Sequence, residues 1–343
     1  MTMSTIPGID EARITAWLRT QALVDGGTCR YEQVAGGRSN ITVRIHRSTG
    51  ASLILRRPPT TGILPSAHDM AREHTIISGL AHTDVPVPQP LGVCDDLDVT
   101  GAAFYVMEDV HGRVVRTRAD AERLDADERT SAAESLVDTL ATLHGLDVTQ
   151  GPLAALGRAD GYLERQLRRL RSQLAQSRTR ELPLADEVAD RLGGALPKMQ
   201  RLALVHGDYR LDNVILGEDS KVRAVIDWEL CTRGDPLADL GLLHVYWLET
   251  GDEAIPTLSS PTDLPGFASR ATLVDRYAAR TGLDVSDLPL YVGFGFWKLA
   301  VILEGVYSRF LAGAYTDEMG GYQQLGDEVP RLLERAAATL AAR

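Results

Sequence analysis

Residues 204–230 read LVHGDYRLDNVILGEDSKVRAVIDWEL, and the rest of the chain takes its meaning from them. Two apolar runs, Val214-Ile215-Leu216 and Val222 to Ile226, flank the polar turn Gly217-Glu218-Asp219-Ser220-Lys221. β-Branched residues in the runs, with Gly, Asp and Ser at the bend, predict a β-hairpin. Asp208 and Asn213 stand just before its first strand and Asp227 just after its second. A hairpin brings its ends together, so the spacing predicts that these three side chains converge. Two carboxylates and an amide suit a hard cation such as Mg²⁺, which takes a few carboxylates together with substrate phosphates.

The order His206-Gly207-Asp208, four residues, then Asn213 is that of the kinase catalytic loop H-x-D-x-x-x-x-N. Ile226-Asp227-Trp228-Glu229 stands where a second metal-binding aspartate would follow. The same residues could serve as loop caps and surface charges; the complete set, in order on one hairpin, argues for the kinase reading. The variant HGDYRLDN followed by IDWE differs from that of protein kinases. It resembles the aminoglycoside phosphotransferase and choline-kinase-like family of small-molecule kinases. The resemblance implies an α+β, bilobal protein-kinase-like fold, with a small antiparallel-sheet lobe over 1–108 and a large, mainly helical lobe over 109–343. It implies ATP and Mg²⁺ as cofactors and transfer to a hydroxyl of a small molecule. Asp208 would be the catalytic base and Asn213 and Asp227 the metal ligands, with His206 and Asp239 supporting the loop.

Bulk properties set bounds on this. The chain has 343 residues, enough for two lobes with ample core. A net charge of −11 argues against general nucleic-acid binding. Cys29, Cys94 and Cys231 are isolated and lack metal-ligand spacing, which suggests a reducing, cytoplasmic setting. No stretch approaches the ~20 apolar residues of a membrane span, and the start shows no signal peptide. A small-molecule partner is therefore expected, with neither nucleic acid nor membrane. Both a monomer and a homodimer remain open.

Toward the N-terminus, Ile14, Trp17 and Leu18 predict a short helix within 9–23. Strands follow at Tyr31–Val34, Ile41–His46 and Ser52–Arg56. The segment between the first two, Ala35-Gly36-Gly37-Arg38-Ser39-Asn40, could be only a turn. By resemblance it is the nucleotide-covering loop, in which Gly37, Ser39 and Asn40 approach phosphate oxygens. In Leu53-Ile54-Leu55-Arg56-Arg57-Pro58-Pro59, Arg56 stands where most relatives carry a phosphate-holding lysine, with Arg57 as the fallback. Either could instead be a solvated strand-end charge, and arginine is not a neutral replacement for lysine. A similar L-R-R/K-x-P stretch marks the subgroup whose kinase-like domains are attached to some acyl-CoA dehydrogenases. Helical periodicity over Met70–Leu80 places Glu73 where it would pair with the strand cation. Met107, at the end of the strand Phe104–Met107, and Glu108 and Val110 after it are adenine-binding candidates by position in the family.

Beyond Asp127 the pattern turns helical. Leu136, Val137, Leu140, Leu143 and His144 form one stripe, and His144 reads as structural. The six arginines between 165 and 180 read as a solvated face. Asp235 is expected as the N-cap of a helix, with Pro236 in its first turn. Helices are expected over 268–281, 288–313 and 327–342. Trp297, Lys298, Glu304, Tyr307 and Arg309 recur near helical spacing, so several share a face. Trp297, Glu304, Tyr307 and Arg309, with Tyr209, Arg210 and Glu229 beside the motifs, are the acceptor-binding candidates. The resemblance points to a hydroxylated acyl thioester as acceptor. An antibiotic kinase, or a nucleotide-binding protein without turnover, are the alternatives.

Overall fold

In the computed structural model, which describes residues 6–34, 40–60, 69–314 and 321–342, alternation of apolar side chains sets the first sheet. The chain divides into two units, Met1–Gly112 with Arg223–Glu229 and Arg113–Val222 with Leu230–Arg343. The first contains α1 (Glu11–Thr20), β1 (Cys29–Gln33), β2 (Ile41–Arg47), β3 (Leu53–Arg57), α2 (Met70–Leu80), β4 (Pro90–Cys94), α3 (Leu97–Thr100) and β5 (Phe104–Glu108). Asp10 and Asp69 start α1 and α2 by accepting the N–H groups of Arg13 and Arg72. The five strands form one antiparallel sheet in the order β1-β2-β3-β5-β4.

Register then sorts the side chains. Val43 pairs with Leu55 and Leu55 with Val106, so these stand on one face. With Ile45, Leu53 and Phe104 they bury against Ile14 and Leu18 of α1. Ile54, Arg56 and Tyr105 alternate to the other face. Each apolar side chain buried on the first face contributes about 1.5–3 kcal/mol. A one-residue slip would bring Arg57 to the place of Arg56 only by turning those leucines out, and is excluded.

The second unit carries α4 (Arg118–Glu122), α5 (Ala126–His144), α6 (Tyr162–Ser177), α7 (Pro183–Ala195) and β6 (Ala203–Val205). Next in the chain come β7 (Val214–Leu216), then β8 (Val222–Val225), which apart from Val222 belongs to the first unit, and then β9 (Thr232–Gly234) of the second, which pairs antiparallel with β6. The hairpin turn closes through Gly217 N–H to the Lys221 carbonyl at 2.8 Å. The chain continues into α8 (Leu237–Tyr246), α9 (Arg270–Thr281), α10 (Leu288–Leu311) and α11 (Leu325–Ala341). The expected stripe on α5 is buried in full, and on α6 the leucines 163, 167, 170 and 174 are buried while Arg168, Arg169 and Arg171 are exposed.

Two readings need correction. Asp235 lies before the first turn of α8, where Pro236 is the cap, yet its Oδ1 accepts Leu237 N–H at 3.1 Å and so does the capping work. By length and composition α10 is long and apolar enough to cross a bilayer, contrary to the sequence expectation, but 67% of that stretch is buried inside the unit as a core helix. It packs closely on α8 because Gly241 lacks a side chain: a Cβ there would meet the Tyr291 backbone at 2.7 Å.

Candidate active site

The polar face of the first sheet gathers around Arg56. Its Nη2 donates to Asp227 Oδ1 at 2.9 Å, and its Nε lies 3.6 Å from Glu73 Oε2. Tyr105, opposite Arg56 on β5, donates its hydroxyl to Glu73 at 3.0 Å. Asn40 donates to Glu73 at 3.4 Å and to Glu229 at 3.0 Å, and the Glu229 carbonyl accepts from Arg72 at 3.2 Å. Burial works against the Arg56 charge, but Tyr105, Asp227 and Glu73 outweigh it and hold the guanidinium charged. Burial pushes the Glu73 carboxyl above its usual range; Arg56 opposes this and Asp227 adds to it. Arg57, on the opposite face, donates instead to the carbonyls of Gly8, Pro58 and Thr100. It is a structural residue, not a substitute for Arg56.

Asp227 sits in the left-handed region at φ 67°, an uncommon backbone for a non-glycine residue that aspartate tolerates better than most. The next residue, Trp228, is fully buried and donates its indole N–H to the Val225 carbonyl at 3.0 Å, which anchors the turn presenting Asp227. Arg56→Ala would leave Glu73 buried without its cation. We expect a loss of about 3–5 kcal/mol in urea denaturation. Arg56→Lys should lose less, since it keeps the charge but not the planar fork.

In the second unit β6 delivers His206-Gly207-Asp208 out of the core. Along Ala203–Tyr209, Asp208 is the residue that is not buried. Beneath it, Asp239 of α8 accepts His206 N–H at 2.6 Å and Gly207 N–H at 2.8 Å, and His144 lies 3.3 Å away. His144 also meets the Tyr277 hydroxyl at 2.6 Å. Burial opposes the Asp239 charge, but the His144 hydrogen bond, the His144 and His206 charges and the Gly207 N–H outweigh it and hold its carboxyl below the usual range. Gly207 has φ 86°, and a Cβ there would meet Leu230 at 2.9 Å, so glycine is required.

Asp208 itself is held on both oxygens. Tyr246 donates to Oδ1 at 2.5 Å, and the Asn213 amide donates to Oδ2 at 3.0 Å and to the Asp208 carbonyl at 2.8 Å. The half-buried Lys298 donates to the Gly207 carbonyl at 2.7 Å. Burial pushes its ammonium below the ordinary value, while Asp208 and Asp239 pull it back up.

The remaining sequence candidates divide. Gly37 and Ser39 lie outside the described residues. Met107 is buried in β5, and Val110 is half-buried; the Glu108 N–H is spent on the Gln89 carbonyl at 2.9 Å. Tyr209 and Trp297 are fully buried core residues, not acceptor contacts: their polar atoms donate to the carbonyls of Leu136 and Ala185. Glu304 is also fully buried, accepting from Thr179 N–H at 2.8 Å and its hydroxyl at 2.7 Å. Tyr307 lies under the Arg180 guanidinium, 5.3 Å from the ring centre, and Arg309 is half-buried. Arg210 pairs with Asp212 and lies over the Tyr246 ring at 4.4 Å.

Tyr105, Tyr246 and Lys298 are absent from the set that the motifs identify. One signal was available: Asp239 and Tyr246 are seven residues apart on α8, two turns, so one helix face delivers both to the loop. Whether Mg²⁺ suits these residues turns on the atoms left over. With its amide nitrogen engaged by Asp208, Asn213 keeps its oxygen for a cation. Asp227 keeps Oδ2, since Arg56 takes Oδ1. Among the described residues no three His, Cys, Asp or Glu gather as a metal cage, and each of these hard oxygens, taken by itself, is of the kind that Mg²⁺ takes beside phosphates.

These features are those of a phosphotransferase with a kinase-like fold, and the Phosphotransferase enzyme family matches residues 30–281. The chain belongs to that family. It is 33% identical over 297 residues to acyl-CoA dehydrogenase family member 11 of Gallus gallus, covering 84% of this chain and 38% of that protein. The chain thus spans well under half the length of that relative. A Ralstonia eutropha protein with the provisional name aminoglycoside phosphotransferase superposes with TM-score 0.81 at 29% identity, covering 97% of this chain and 98% of its own. A thermostable mutant of aminoglycoside phosphotransferase APH(4)-Ia, in ternary complex with AMP-PNP and hygromycin B, gives TM-score 0.63 at 14% identity, covering 95% and 97%. That likeness bears on the fold alone.

Proposed function

We propose that this chain moves the γ-phosphoryl group of ATP to a hydroxyl of a small molecule, with hydroxylated acyl thioesters of the coenzyme A type as acceptors. The observation that carries this is the clamped loop: a single ionisable side chain, Asp208, emerges from an otherwise buried run, its carboxylate fixed at both oxygens. Phosphoryl transfer asks mainly for positioning and charge stabilisation, which such a loop supplies. Asp208 accepts the proton of the attacking hydroxyl. The acceptor oxygen forms its bond to the γ-phosphorus as the bond to the β–γ bridging oxygen breaks, and ADP leaves with the electron pair. Arg56 offsets phosphate charge through the donors that Asp227 and Glu73 leave over. Bound Mg²⁺, which Asn213 and Asp227 would hold, supplies neutralisation of the phosphate oxygens.

The nucleotide assignment draws support from the kinase spacing of His206, Asp208 and Asn213 and from the match to the Phosphotransferase enzyme family. The acceptor class draws support from the acyl-CoA dehydrogenase relative, the LRRPP stretch and the use of Glu304. That acid is consumed by Thr179 and Arg180, so it adds nothing to an acidic pocket for a polycationic antibiotic. The name of the Ralstonia protein favours the second reading, an aminoglycoside kinase.

The test is transfer of label from γ-labelled ATP with Mg²⁺ across hydroxyacyl-CoAs, aminoglycosides, amino alcohols and sugars. Label on a hydroxyacyl-CoA is the expected result. Label on an aminoglycoside alone selects the second reading, and tight nucleotide binding with no transfer to any hydroxyl would overturn both. For Asp227→Asn we expect weaker binding of Mg²⁺-ATP by calorimetry, because a neutral amide replaces a carboxylate facing the cation. Unchanged affinity would remove Asp227 from the metal site.

A further inference from the structure

Helix α8 touches the reaction loop twice, through Asp239 in its first turn, beneath the loop, and through Tyr246, its last residue, at the carboxylate. We propose that Tyr246 is a positioning residue for phosphoryl transfer, its hydroxyl setting the orientation in which Asp208 meets the acceptor. This rests on the reading that Asp208 takes the acceptor proton. Four observations converge on it.

The Tyr246 Oη to Asp208 Oδ1 separation is 2.5 Å, in the short range of an O–H···O⁻ bond to an ionised acceptor. Burial, and after it the Asp208 charge, push the Tyr246 phenol well above its ordinary value, so it stays protonated and donates. Asn213 holds the other carboxylate oxygen at 3.0 Å. One donor on each oxygen fixes the carboxylate plane, which a single donor would leave free to turn. Tyr246 is itself immobilised: it is 3% exposed, its ring covered by the Arg210 guanidinium at 4.4 Å, and Arg210 is in turn held by Asp212.

The chain of support runs from Asp212 through Arg210 and Tyr246 to Asp208. A phenylalanine at 246 keeps the ring under Arg210 and removes only the hydroxyl. A leucine removes both.

Two measurements test this. In the first, crystal structures of the wild type and Tyr246→Phe are compared at the Asp208 carboxylate. It should turn away from its wild-type plane in the variant; an unmoved carboxylate overturns the proposal whether or not any acceptor is known. In the second, kcat for acceptor phosphorylation should fall about 100-fold in Tyr246→Phe, the scale of a small misplacement of a reacting group. KM for ATP should hold, and Tm should change little. Tyr246→Leu should lose Tm as well, which marks the purely structural share. A phenylalanine variant with wild-type kcat, or one whose kcat falls only in step with Tm, overturns the positioning role. A wild type that phosphorylates nothing defeats the functional reading, and the crystallographic comparison then decides Tyr246 by itself.

Discussion

Asp208→Asn is expected to lower kcat by about 10²–10⁴-fold, the usual contribution of a positioned general base. The size follows from the clamp: a base held on both oxygens by Tyr246 and Asn213 has its orientation settled before the acceptor arrives. Asparagine is the informative substitution because its amide oxygen can still accept from the buried Tyr246 hydroxyl. Alanine would leave that hydroxyl unpaired, at about 1–3 kcal/mol, and mix a stability loss into the kinetics. The measurement is steady-state kcat for label transfer beside a thermal melt. Full turnover in a folded Asp208→Asn protein would show that the base lies elsewhere.

The second large effect is on stability. Asp239 is 1% exposed and accepts two backbone N–H groups of the loop while facing His144. Asp239→Ala strands those donors, and breaking such a buried charged network typically costs about 3–5 kcal/mol. Activity should vanish with it, because His206 and Gly207 lose the anchor that aims Asp208. The pH dependence has a definite sign. Asp239 has a folded-state pKa below its unfolded value, so its contribution is present above the unfolded value, about 3.9, and fades as pH falls through the depressed one. Glu73 runs the other way: its folded-state pKa is raised, so its buried charge is unfavourable at neutral pH and acidification relieves it. Urea midpoints measured from neutral to acid pH should therefore fall less steeply in Asp239→Asn than in the wild type. Parallel profiles would show that Asp239 carries no such linkage.

How much of this was legible depended on range. The motif residues Asp208 and Asn213 lie five apart, so their mutual hydrogen bonds are nearly a local property of the loop. Helices α5, α6 and α10 announced themselves through periodicity, which burial of one face requires. The pair β6 and β9 is three residues a side, too short for alternation to register in the sequence. The acceptor-face residues failed for a different cause. Spacing shows that Trp297 and Glu304 share a side of α10, but not whether that side meets a neighbour or an open surface.

The sequence alone determined the chemistry on offer: an aspartate and an amide at kinase spacing, a second aspartate after a hairpin, and an arginine pair on a strand. Local spacing suffices there because each motif is read along a few bonds of chain. Tertiary structure decided which of two adjacent arginines faces Glu73 and Asp227, since apolar burial of Leu53 and Leu55 fixes the strand's register. It also decided that Tyr246, 38 residues from Asp208, completes the clamp. No local pattern encodes that contact; only the packing of α8 beneath the loop creates it.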